Sequence, residues 1–61
     1  MKEFSLNQIV KGKFAGTFVI LGFRKIDGVE YVQLKPVNPD NHRQHGIGEI
    51  ALPIISIEEI D

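Results

Sequence analysis

Arg24, Tyr31, Gln33 and Lys35 are the residues whose types and spacing fit one chemistry together. Cationic side chains meet phosphates, a phenol ring stacks on bases, and an amide hydrogen-bonds to base edges. Lys11 and Lys13 supply further cations for phosphate. Arg43, inside "NHRQH" at 41–45, adds a planar fork that can grip one phosphate in two places. This set points to a non-catalytic module that binds nucleic acid, DNA or RNA, through a basic and aromatic sheet face. The same types also serve protein interfaces, where aromatic and arginine side chains dominate the energetics. With Phe18 and Ile20 as apolar anchors, the alternative is a protein-interaction module or a self-assembling homo-oligomer.

Other chemistries find less to work with. Cysteine is absent, which removes disulfides, thiol nucleophiles and the usual structural zinc sites. Ser5 and Ser56 lie in no nucleophile-elbow pattern, and "GKFAG" at 12–16 lacks the lysine and hydroxyl residue that follow a phosphate loop. His42 and His45 with Asp40 could start a metal site, but no convincing third and fourth ligands accompany them. No metal, cofactor or small-molecule substrate is expected, and an enzyme would need a cleft or pore shared between copies.

At 61 residues the chain is expected to form one domain spanning 1–61. So short a chain buries only about 60% of its unfolded surface, so its stability is modest and self-association would add to it. Hydrophobic residues make up 43% and charged residues 25%, an ordinary folded composition. No apolar run nears the roughly 18 residues of a membrane span. The start, "MKEFSLNQIVKGK", lacks a signal-peptide centre, so a soluble, cytoplasmic protein is expected. Net charge is −1 but unevenly spread. Residues 1–45 hold all seven cations against four acids, a net of +3, while 46–61 hold four acids and no Lys or Arg, a net of −4. Such asymmetry suits a basic binding face beside an acidic one.

The elements that must place these residues are strands. "SLNQ" at 5–8 matches a helix capping box, but Gly12 and Gly16 leave no room for a helix, so 8–14 reads as a first strand. Two β-rich runs, 17–26 and 29–36, flank Asp27-Gly28, a strong signal for a two-residue hairpin turn. That turn sets Ile26 opposite Val29, Lys25 opposite Glu30, Arg24 opposite Tyr31, Phe23 opposite Val32 and Gly22 opposite Gln33. Continued without interruption, it sets Leu21 opposite Leu34 and Ile20 opposite Lys35. The core face then holds Val19, Leu21, Phe23, Val32 and Leu34. The other face holds Phe18, Ile20, Arg24, Ile26, Val29, Tyr31, Gln33 and Lys35.

After Pro36, "VNPDNHRQHG" is rich in turn formers and reads as a long loop, and long loops in small domains often carry function. "IGEIAL" at 47–52 alternates as a strand with Ile50 and Leu52 inward. Ile54, Ile57 and Ile60, spaced by three after Pro53, predict a short helical turn before a last strand. Five short strands with a 3-10 turn before the last outline a small SH3-like barrel, with an OB-like barrel as the alternative.

Overall fold

The structure, a computed structural model, describes residues 3–14, 16–46 and 48–60. It contains five strands: β1 (Ile9–Gly12), β2 (Thr17–Ile26), β3 (Val29–Pro36), β4 (Ile50–Pro53) and β5 (Ile57–Glu59). All pair antiparallel in one sheet of order β4-β3-β2-β1-β5. The described residues contain no α-helix, and none of their helical segments is long and apolar enough to cross a membrane. β4 and β5 are the two edges and no ladder joins them, so hydrogen bonds do not close the sheet.

Local chemistry accounts for the boundaries. Asp27 and Gly28 both take positive φ, 50° and 81°, as a type I′ turn demands. Pro53, with φ −58°, ends β4 and starts the 3-10 turn Ile54–Ser56, where the isoleucine spacing places it. β1 stops at Gly12, whose N–H donates to the Gly16 carbonyl (3.0 Å) and closes the hairpin earlier than 14. β4 starts at Ile50, and the expected strand start at Ile47 lies outside the described residues. "SLNQ" makes half of its capping box without a helix. The Ser5 N–H donates to Gln8 Oε1 (2.8 Å) across a tight turn held by Asn7 at φ 68°.

The β2–β3 register matches the uninterrupted expectation from Ile26–Val29 to Gly22–Gln33 and then departs from it. A β-bulge leaves Leu21 unpaired, so Ile20 meets Leu34, Val19 meets Lys35 and Phe18 meets Pro36. One extra residue exchanges the faces of everything before it on β2. The core consequently contains Val10, Phe18, Ile20, Val32, Leu34 and Ile57, with Phe4, Leu52 and Ile54 packed against it. Val32 and Leu34 are core residues as expected. Leu21 and Phe23 are not: they are 37% and 48% exposed. Phe23 keeps its predicted face but stands beyond the packed region. Val19 is buried, but on the opposite face and outside the core cluster. Leu52 is half-buried against the core, whereas Ile50 sits exposed on the edge strand.

The cause of the bulge lies at the two ends of β2. Lys11 pairs with Thr17 and Val10 with Phe18, so keeping Lys11 in water turns Val10 and Phe18 inward. At the other end, the Asp-Gly turn sets Phe23 beside core residue Val32. Phe18 and Phe23 are five residues apart and cannot share a face in a regular strand. An inserted residue, Leu21, resolves the conflict. Ile20→Ala should therefore lose about 2–5 kcal/mol of unfolding free energy, and Leu21→Ala less than about 1 kcal/mol. Urea unfolding of the two variants checks this, and the reverse order would rule out the bulge.

Candidate functional site

The face opposite the core collects the polar residues. From the register it carries Ile9 and Lys11 on β1; Thr17, Val19, Gly22, Arg24 and Ile26 on β2; Val29, Tyr31, Gln33 and Lys35 on β3; and Ala51 and Pro53 on β4. On β5 the same face carries Glu58, the register partner of Lys11, and it is the acid among these residues. Arg24 pairs with Tyr31, which pairs on its other side with Pro53. Gln33 lies between Gly22 and Ala51, two small residues, and its amide rests over the bare Cα of Gly22. Tyr31, Gln33 and Lys35 are half-buried, and Arg24 is exposed. The row from Tyr31 to Lys35 spans about 13 Å along one strand.

Arg24, Tyr31, Gln33 and Lys35 are thus brought together. They group because β3 runs without a bulge and Arg24 lies on the turn side of the one in β2. Lys25 and Glu30 alternate onto the core side. They stand opposite each other as expected, yet the ion pair among the described residues is a different one, Lys11 to Glu58 (3.9 Å). That pair shows the acidic C-terminal segment lying beside the basic N-terminal one through the β1–β5 ladder. Both side chains are well exposed, so the pair adds little stability. Lys11 belongs to the polar face but has its charge partly answered by Glu58.

Lys13 does not join the patch. Its N–H donates to the Ser56 carbonyl (2.9 Å), and it lines a small groove with Phe4, Ile54, Ile55 and Ile57 on the other side of the sheet. Phe18 and Ile20 also depart from the expectation. They lie on the core face, at 9% and 0% exposure, and offer no surface to a partner. The reason is again the bulge.

Arg43 sits on an ordered loop rather than a slack one. Val37, 1% exposed, anchors the loop by donating its N–H to the Thr17 carbonyl (3.0 Å) and bridging to Gln44. The Asn38 N–H donates to the Arg43 carbonyl (2.8 Å), and the His42 N–H to the Asn38 carbonyl (2.7 Å). Asn38 and Asn41 accept from the Asp40 and Arg43 backbones at 2.8 and 2.9 Å. These turns hold Arg43, exposed, at the Lys35 end of β3. No group of three or more metal-ligating side chains occurs among the described residues, the His42 and His45 region included.

Sequence reasoning missed Gly22 as a site residue. A Cβ there would meet Gln33 Oε1 at 3.0 Å, so the amide lies against the bare Cα. The signal was present in the predicted Gly22–Gln33 pairing. Gln33 is a flexible side chain and can give way. Gly22→Ala should therefore leave stability unchanged or raised by up to about 1 kcal/mol, while shifting the Gln33 side-chain amide resonances. Loss of more than that amount in denaturant unfolding would show Gln33 to be held rigidly. Comparison with family models, with curated proteins and with solved structures finds no match.

Proposed function

We propose that this chain is a non-catalytic binding module that takes nucleic acid on the Arg24/Tyr31/Gln33/Lys35 face. One observation carries the reading. The strand register gathers two cations, an aromatic ring and an amide on a face where β1 to β4 bear no acid. Lys35 and Arg24 bracket the row and would meet phosphates, while Tyr31 stacks a base and Gln33 bonds its edge. Arg43 extends the cationic track beyond Lys35. Lys11 contributes only in competition with Glu58. The sheet face is broad and offers no projecting helix, so single-stranded nucleic acid with exposed bases is the favoured ligand form.

An SH3-like architecture is the fold that accompanies this reading. The meander order β4-β3-β2-β1-β5 and the 3-10 turn before β5 support it, and curling of the open sheet would complete the barrel. β5 pairing with β1 favours it over the OB-like alternative.

Amide NMR titration and anisotropy with a mixed-sequence single-stranded pool, at low and near-physiological salt, test the proposal. Shifts should cluster on residues 24, 31, 33, 35 and 43 and fade with salt. Lys35→Ala should weaken binding on every sequence and flatten the salt slope by about 0.7. Tyr31→Ala should cost about 1–3 kcal/mol of binding through lost stacking. Affinity at low salt that neither variant changes would end the nucleic-acid reading.

A further inference from the structure

The polar row on β3 does not end at Tyr31. Beyond it, Ile26 and Val29 pair across the strands on the same face as Arg24 and Tyr31. They are 46% and 45% exposed, and every residue from Phe23 to Glu30 is exposed, so the rest of the described chain leaves this pair open. The hairpin alone does not require apolar side chains at these places. Threonine is also β-branched and suits a strand next to a turn equally well. The charges nearest the pair are Arg24 on the same face, Asp27 in the turn, and Lys25 and Glu30 on the opposite face. Ile26 and Val29 are thus an apolar step at the end of a row bearing cations, a ring and an amide.

We infer, on the nucleic-acid reading of the Tyr31 face, that this pair seats a further unpaired base and favours thymine, so that the ligand is single-stranded DNA. Val29 lies two residues from Tyr31 on β3, about 7 Å along the strand. That is twice the rise of roughly 3.4 Å in a stacked strand, so the base next to the one on Tyr31 reaches the pair once splayed out on the sheet. Neither Ile26 nor Val29 has a side-chain donor or acceptor, so the pair reads no polar base edge and no ribose hydroxyl. It distinguishes apolar surface. The thymine C5-methyl is the apolar group that apolar side chains recognise on bases, and uracil lacks it. Burying one such methyl against the pair gains up to about fourfold in affinity. Gln33, Tyr31 and the Ile26–Val29 pair then hold three successive bases, with Lys35 and Arg24 on the phosphates.

Anisotropy at low salt with oligo(dT) and oligo(dU) of one length, identical but for the methyl group, tests this. The wild-type chain should bind oligo(dT) about threefold to fourfold more tightly, with the same salt slope for both. Ile26→Thr combined with Val29→Thr should erase the preference and leave the salt slope unchanged, because no charge is altered. Lys35→Ala should weaken both oligomers equally and keep the preference. Intermolecular NOEs from the thymine methyl to the Ile26 and Val29 methyls, measured on the wild-type chain, locate the base without any substitution. Equal affinity for the two oligomers overturns the inference, as does a thymine preference that survives the double substitution or a thymine methyl remote from the pair. In each of these cases binding that depends on Lys35 still upholds the nucleic-acid reading. Binding of neither oligomer at low salt overturns both.

Discussion

The bulge at Leu21 is the constraint on which the rest of this small structure depends. β1 requires Phe18 to point inward so that Lys11 can stay in water. The Asp27-Gly28 turn requires Phe23 to lie beside Val32. These demands differ in parity, and one unpaired residue reconciles them. The result is a core built on Ile20 and Leu34, a polar face built on Tyr31 and Gln33, and an arm left beyond both.

This arrangement gives the two ends of β2 different work. Its first half, Thr17–Ile20, is packed on both sides, with Phe18 and Ile20 in the core and Val19 buried on the other face. Its second half is exposed apart from half-buried Gly22 and carries cations on both faces, Arg24 on one and Lys25 on the other. The hydrophobic effect therefore fixes the hairpin at its base and leaves its tip free to meet other molecules.

Much of the fold was legible in the residues. The Asp-Gly turn, the strands on either side of it, the 3-10 turn after Pro53 and the short last strand all follow from local chemistry that tertiary packing does not override. The face of β2 before Gly22 was not legible. "FVIL" is apolar at every position, so a period of two leaves no mark there, and a bulge cannot be seen in such a run. That single gap explains why Phe18 and Ile20 were read as surface anchors and Leu21 as core. The grouping of Arg24, Tyr31, Gln33 and Lys35 was readable because all four lie on the turn side of the bulge or on the unbulged strand. Lys13 was misplaced for a different reason, since the tight β1–β2 turn carries it to the far side of the sheet.

Cross-strand backbone NOEs along the β2–β3 hairpin test the bulge most directly. The account predicts contacts linking Ile20 to Leu34 and Gly22 to Gln33, with Leu21 unpaired between them. Contacts linking Leu21 to Leu34 and Ile20 to Lys35 would contradict it. They would return Leu21 to the core and place Ile20 on the polar face.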